Sequence, residues 1–325
     1  MTLLAPADRM LFVLLPFLGM GRDHGETFPV LKSNSQSAGR RMEKAFSIII
    51  LTHNKAEYTK RCLESVLRTA RGGLEVIVID NGSSDATPQV LAEMENRYAA
   101  AGSELRMQFN GRNVGCSTAR NAGMAMAGGD HVVFLDNDTL IADPGWLEKL
   151  AAPMKKDPKV KVTAPKMTYP FPPHRIQCAG AGVSRSGRVA FLGRGEPRED
   201  PRFNVEKEVQ CVISACMMFP RRLVQEIGGL DEAFNPIQYE DLDFCYRARA
   251  KGYKVVYVPQ AEVHHWESIT SDGTPALPNR YLIIKHGLLF KQRWRHMFER
   301  EDGPSDEETK WKTMEVPSLD GMRKF

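Results

Sequence analysis

Hydrophobic positions in this chain follow two rhythms. FSIIIL (46–51) and LEVIVID (74–80) are continuous apolar runs rich in β-branched residues, the pattern a strand covered on both faces requires. Between them, Tyr58, Cys62, Val66 and Leu67 recur at helical spacing across residues 56–69, which predicts a βαβ unit. NGSSDAT (81–87) is turn chemistry; Asp85 or Thr87 is suited to cap the next helix, with Pro88 in its first turn and an end near Tyr98. Residues 105–109 read as a third strand, 117–127 as a helix of small residues, and HVVFLD (131–136) as a fourth strand. This alternation predicts an α/β fold: an open, mostly parallel sheet with helices on both faces.

Beyond Pro153 the rhythm loosens. VKVTAPKM (160–167) and VQCVISACMMF (209–219) are apolar runs, and the Gly- and Arg-rich stretch 180–200 between them reads as a mobile loop or a hairpin. QYEDLDFCYRARAKGY (238–253) reads as a loop leading into a helix, YKVVYVP (253–259) as a strand and AEVHHWES (261–268) as its exit.

Ligands of such sheets bind beyond the carboxyl ends of the strands. Asp80 and Asp136 each end a predicted strand, and Thr52, His53 and Asn54 end the first one, so all should border one crevice. FLDNDT (134–139) sharpens the point, because Asp136 and Asp138 repel each other unless a cation, a helix N-terminus or solvent relieves them. A cation that prefers oxygen ligands, Mg²⁺ or Mn²⁺, takes one or two carboxylates and completes its shell with phosphate and water. The bland alternative is that the pair caps a helix or decorates a turn, the usual fate of an isolated D-x-D. Glu240 and Asp241 form a second acidic cluster at a predicted helix start, where the helix dipole favours an anion and a general base could be kept ionised. Capping is the bland alternative there too. Asp243 and Arg247 stand one helical turn apart and can pair on one face. His264 and His265 lie on a strand, so only one of them can enter a given site.

The 325 residues carry 44 Lys and Arg against 40 Asp and Glu, a net +4 too mild to argue for nucleic acid. Six scattered cysteines without a C-x-x-C pair read as free thiols in a reducing compartment, which implies the cytoplasm. MLFVLLPFLGM (10–20) is a signal-like apolar core too short to span a bilayer, and the polar, Ser-rich residues after it read as a linker through Lys44. The chain thus divides into an N-terminal segment (1–44), an α/β domain (45–270) and a basic amphipathic helix with a polar tail (271–325). Residues 280–298 hold five Lys or Arg and no acid among many apolar side chains. They fit either a helix packed on the domain or a surface resting on the inner face of an anionic membrane.

IIILTHN, VIVIDNGSSDAT, NVGCSTARNAGMAMAGGD, VFLDND, GGLDEAFNPIQYEDLDFCYRARAKGY and VHHWES occur in that order between Phe46 and about Phe298. In this the chain resembles the family 2 glycosyltransferases of the GT-A fold, particularly the bacterial rhamnosyltransferase-like and galactofuranosyltransferase-like members. The resemblance implies that Thr52 and Asn54 line a nucleotide pocket, that Asp80 contacts the base, and that Asn113, Gly115 and Arg120 flank the pocket. It assigns Asp136 and Asp138 to the family's D-x-D, Asp138 as the stronger metal ligand and Asp136 nearer the ribose or diphosphate. It makes Asp241 the catalytic base with Glu240 beside it, and best aligns His265, or His264 after a one-residue slip, with a histidine that completes the metal shell.

The implied reaction is a metal-dependent, inverting transfer from a nucleoside-diphosphate sugar, UDP or dTDP ahead of GDP, to a hydroxyl of a glycan or lipid-linked acceptor in surface polysaccharide assembly. The membrane spans and Q-x-x-R-W signature of the family's processive polymerases are missing from this sequence, so transfer of one or a few sugars is expected. Two other classes stay open: a sugar nucleotidyltransferase, although IIILTHNKAEY lacks the glycines of its signature, and a silent nucleotide- or glycan-binding module, which the intact acidic clusters oppose. A dinucleotide-dependent dehydrogenase is set aside because no G-x-G-x-x-G follows a strand.

Overall fold

A computed structural model describes residues 45–69, 73–267, 279–314 and 317. The N-terminal segment 1–44, with its apolar run, lies outside the described residues. In chain order the elements are β1 (Phe46–Thr52), α1 (Ala56–Arg68), β2 (Glu75–Asp80), α2 (Thr87–Ala100), β3 (Glu104–Phe109), α3 (Cys116–Met126), β4 (His131–Asp136), β5 (Thr139–Ile141) and α4 (Trp146–Lys156). They continue with β6 (Val160–Thr168), β7 (Ile176–Cys178), β8 (Ala181–Val183), β9 (Val189–Phe191), β10 (Lys207–Val209), β11 (Cys216–Pro220), α5 (Leu223–Ile227), α6 (Glu240–Ala250), β12 (Lys254–His265) and α7 (Asn279–Phe298).

One large sheet runs in the order β10-β12-β6-β11-β4-β1-β2-β3. Strands β4, β1, β2 and β3 are mutually parallel, β12 is parallel to β6, and β11 runs antiparallel between the two groups. Alternate residues of the central strands feed two cores, as the unbroken apolar runs require. Ile48, Ile50, Val76 and Val78 pack with Cys62, Leu63, Val66, Leu91 and Met94 of α1 and α2. Ile49, Ile77 and Ile79 face α3 and the side where Phe244 and Tyr246 of α6 meet Phe290 and Phe298 of α7. The small residues of α3 permit a close approach: a Cβ at Gly123 would stand 2.6 Å from the side chain of Ile49.

Asp85 serves two helix starts. Its Oδ1 accepts from the backbone N–H of Thr87 at 2.9 Å and its Oδ2 from that of Ala56 at 3.0 Å, so one carboxylate satisfies donors at the N-termini of α2 and α1. Burial opposes its ionised form, but these N–H groups and the Thr87 hydroxyl outweigh it and lower its pKa.

Three features differ from the sequence reading or resolve it. Helix α4 is unanticipated, although Trp146, Leu147, Leu150 and Ala151 line its buried face. The run 209–219 is broken, because Gln210–Ala215 leave the strand to turn Ser214 toward the site, and only β11 joins the sheet beside β4. The Gly- and Arg-rich stretch contains an antiparallel hairpin, β8 with β9. All six cysteines are buried and free. Among the described residues no helix is long and apolar enough to cross a membrane.

Replacing Asp85 with Ala removes the acceptor shared by two helix starts and should lower unfolding stability by about 1–2 kcal/mol. An unchanged midpoint in a denaturant melt would contradict this double capping role.

Candidate active site

The parallel register sets the site. Thr52 lies opposite Asp80, and Leu51 opposite Asp136, so β1, β2 and β4 end together at one sheet edge. The side chain of Asn137 turns inward, donating to Thr59 Oγ1 at 2.9 Å and Thr52 Oγ1 at 3.2 Å. Asp136 and Asp138 flank this buried knot in sequence. Thr52 itself is fully buried, its hydroxyl 2.8 Å from that of Thr59, so it braces the D-N-D turn.

The second strand end is tied to the first. Asn54 adopts a left-handed conformation at φ 59°, its N–H donates to Ser83 Oγ at 2.7 Å, and its Oδ1 accepts from Ser84 N–H at 2.8 Å. Asp80 is buried, and its Oδ1 accepts from Ser83 N–H at 2.9 Å. Asn113 accepts from Asn81 Nδ2 at 2.8 Å and from Gly115 N–H at 2.9 Å. At Gly115 φ is 89°, and a Cβ would run into the Asn235 side chain, which itself caps α3 by accepting from Ser117 N–H at 3.0 Å. Only glycine meets both demands.

Asp138 and His265 come from distant parts of the chain through the pairing of β5 with β12, which sets Thr139 opposite His265. His265 Nε2 stands 3.2 Å from Asp138 Oδ1 and 3.8 Å from Asp136 Oδ2. Its Nδ1 lies 2.7 Å from Gln177 Oε1, which fixes the ring's orientation. The neighbouring His264 turns away, with Nδ1 2.7 Å from Thr168 Oγ1 and its ring beside His174. One donor atom each from Asp136, Asp138 and His265 falls within 4.8 Å of the others. Two carboxylates and an oriented imidazole form a donor set that fits a Mn²⁺-type cation and leaves open positions for phosphate and water. Burial disfavours the charged ring of His265, but Asp138, then Asp136 and Glu267, outweigh it and raise its pKa to about 9.

Across the crevice, α6 presents Glu240 and Asp241, both buried. The chain reaches this helix through Gln238 and Tyr239, two consecutive non-glycine residues at positive φ (83° and 73°), a conformation that costs energy and collects at functional sites. Asp241 Oδ2 accepts from Ser214 N–H at 2.9 Å and Oδ1 from Leu242 N–H at 2.8 Å. Burial raises the pKa of Asp241 against these donors and Arg120. Burial, then the Asp241 charge, pushes Glu240 up to about 7. Arg120 joins the two acidic groups: its Nη2 donates to Asp136 Oδ1 at 2.5 Å, and its Nη1 lies 2.5 Å from Ser214 Oγ and 3.5 Å from Glu240 Oε1.

The structure therefore gathers Asp136, Asp138, His265, Arg120, Glu240 and Asp241 about one crevice, with Asp80, Asn54, Asn113 and Gly115 along its β2 side. Ser214, Gln177, Asn81 and Asn235 escaped sequence reasoning. Asn81 and Asn235 sit inside quoted motifs and could have been suspected, whereas Ser214 and Gln177 carry no local signal.

Residues 47–228, more than half of the chain, match the glycosyl transferase family 2 model. The chain belongs to this family. Among characterised relatives, it is 26% identical over 257 residues to the N-acetylglucosaminyl-diphospho-decaprenol L-rhamnosyltransferase of Mycobacterium tuberculosis, covering 72% of this chain and 80% of that protein. It is 29% identical over 255 residues to an uncharacterised protein of Sinorhizobium fredii; the match takes in 77% of this chain but only 27% of that longer protein. The fold is that of the GT-A glycosyltransferases. A mannosyltransferase of Pyrobaculum calidifontis, solved with GDP-Man and Mn²⁺, superposes with TM-score 0.55 at 17% identity over 81% of this chain and 67% of its own. GalNAc-T7, solved with UDP, GalNAc and Mn²⁺, gives TM-score 0.55 at 19% identity over 69% of this chain and 44% of its own.

Because a cation must displace the proton on His265 Nε2, Mn²⁺ affinity should weaken as pH falls below about 9, by roughly tenfold per unit. Titration calorimetry between pH 6 and 8 measures this, and a pH-independent affinity would remove His265 from the ligand set.

Proposed function

We propose that this protein is an inverting, cation-dependent glycosyltransferase that moves a sugar from a nucleoside diphosphate, UDP or dTDP, to a hydroxyl of a glycan or lipid-linked acceptor. The observation that carries the reading is the convergence of Asp136, Asp138 and His265 within 4.8 Å, opposite a buried acidic pair on a helix N-terminus. A divalent cation held by the first three would offset negative charge on the departing diphosphate.

The remaining parts belong to this chain. The β2 end, with Asp80 and the turn that Asn54 and Asn113 hold, is shaped to receive the nucleoside, and an Asp carboxylate suits the imide N–H of uracil or thymine. Asp241 accepts the proton of the acceptor hydroxyl as that oxygen attacks the anomeric carbon. Its raised pKa brings it closer to the operating pH, which favours proton transfer. The backbone donors at Ser214 and Leu242 fix the carboxylate before the acceptor arrives. Glu240, its pKa raised to about 7 by burial and then by the Asp241 charge, takes up a proton more readily than an ordinary carboxylate, which limits the charge crowded against Asp241. Displacement in a single step inverts the anomeric centre and needs no covalent enzyme nucleophile. Similarity to a rhamnosyltransferase that uses a decaprenol-linked acceptor supports a lipid-linked acceptor here.

Asp241→Asn keeps the size and one of the two backbone hydrogen bonds but removes the base. It should lower kcat by about 10²–10⁴ and leave nucleotide binding unchanged. Wild-type turnover by this variant would exclude Asp241 as the base.

A further inference from the structure

Helix α7 is apolar on more than one face. Its inner face enters the core: Leu282, His286, Phe290 and Phe298 are buried, and the Phe290 ring lies 5.5 Å from that of Tyr239 and 5.1 Å from that of Tyr246. Its outer face carries Tyr281, Ile284 and Leu288, which are 60%, 64% and 64% exposed, and Ile283, on the flank nearer the buried side, is 42% exposed. These are four of the seven large hydrophobic residues exposed among the described residues, and all lie within the first three turns of one helix. A helix apolar all round is covered on all sides, and clustered exposed hydrophobics mark an interaction surface. The described residues cover only the inner side.

Charge identifies the partner. The helix contains no acidic residue. Arg280 and Lys285 are exposed beside the apolar cluster, and neither forms an ion pair among the described residues. Arg293, by contrast, is held by Asp231 and Asp243. Apolar side chains interleaved with unpaired cations complement a bilayer with anionic headgroups. The same helix also supports the catalytic loop: His286 Nδ1 lies 2.8 Å from the Ile237 carbonyl oxygen, and a Cβ at Gly287 would stand 3.0 Å from the Tyr239 hydroxyl.

We infer that the outer face of the first half of α7, with Arg280, Tyr281, Ile284, Lys285 and Leu288, docks on an anionic lipid surface. Docking there brings the loop that leads into Glu240 and Asp241 to the bilayer. The surface stands on exposure and charge; only its benefit, delivery of a lipid-linked acceptor to Asp241, rests on the transferase reading.

The test is flotation of the full chain with neutral phosphatidylcholine vesicles and with vesicles containing phosphatidylglycerol, alongside Ile284→Glu/Leu288→Glu and Arg280→Glu/Lys285→Glu. The wild type should float with anionic vesicles at least about tenfold better than with neutral ones, and each double variant should lose that binding. Circular dichroism and cation-dependent nucleotide binding, unaltered in the variants, show that fold and donor site survive and keep this outcome separate from the transferase reading. Vesicle binding that persists in both variants overturns the inference and moves the contact elsewhere, such as to residues 10–20. Failure of the wild type to bind, with self-association abolished by the same substitutions, also overturns it and assigns the face to a second copy of the chain.

Discussion

The guanidinium of Arg120 lies between carboxylates from two distant parts of the chain, 2.5 Å from Asp136 at the end of β4 and 3.5 Å from Glu240 at the start of α6. Its side chain is only 3% exposed and that of Glu240 7%, so this end of the bridge sits in a medium that screens poorly, whereas Asp136 is partly open to solvent. Removing one partner of a fully buried ion pair costs about 3–5 kcal/mol, a figure that solvent reduces on the Asp136 side. The rest of the site follows from this bridge. It neutralises one oxygen of Asp136 and leaves the other facing His265. It also holds the Gln210–Ala215 turn through Ser214, and that turn in turn positions Asp241. Arg120 Nε and Glu240 Oε2 are buried without a hydrogen-bond partner among the described residues, which leaves the centre of the crevice under-satisfied in polar terms and suited to a polar substrate.

Strained backbone and dense packing supply the positioning. Gln238 and Tyr239 hold positive φ where α6 begins. They are kept there by Asp243 N–H, which donates to the Tyr239 carbonyl at 2.9 Å, and by α7 packed over the Tyr239 ring. Asn235 links the same loop to α3, the helix that carries Arg120. The β4 end and the start of α6 are thus joined through α3 and α7 as one packed body.

Much of this was legible in the sequence where the signal is local. Unbroken apolar runs located β1, β2 and β4, and a strand ending in Asp136 placed the acidic pair at the sheet edge, because period and burial are properties of neighbouring residues. Helix α4 carried a local signal of the same kind in Trp146, Leu147, Leu150 and Ala151, yet it was not read from the sequence. What stayed hidden depends on long-range register. Only the pairing of Thr139 with His265 decides which of two adjacent histidines meets Asp138. Nothing near Gln177 indicates that it orients that ring. The break in 209–219 was invisible for a related reason: VQCVISACMMF reads as one apolar strand until Asp241 demands a backbone donor from Ser214. Family resemblance set Arg120 beside the nucleotide, and the structure adds that its side chain is a buried bridge between the two acidic clusters.

The most direct measurement is thermal unfolding of the wild-type chain with UDP, dTDP and GDP, each with and without Mn²⁺, next to Asp138→Ala. If Asp136, Asp138 and His265 hold a cation that binds a diphosphate, one nucleotide at about 100 times its dissociation constant adds roughly 2.7 kcal/mol. That gain requires Mn²⁺ and disappears in the variant. Equal stabilisation with and without Mn²⁺, or none from any nucleotide in a folded sample, would contradict a cation-dependent diphosphate site.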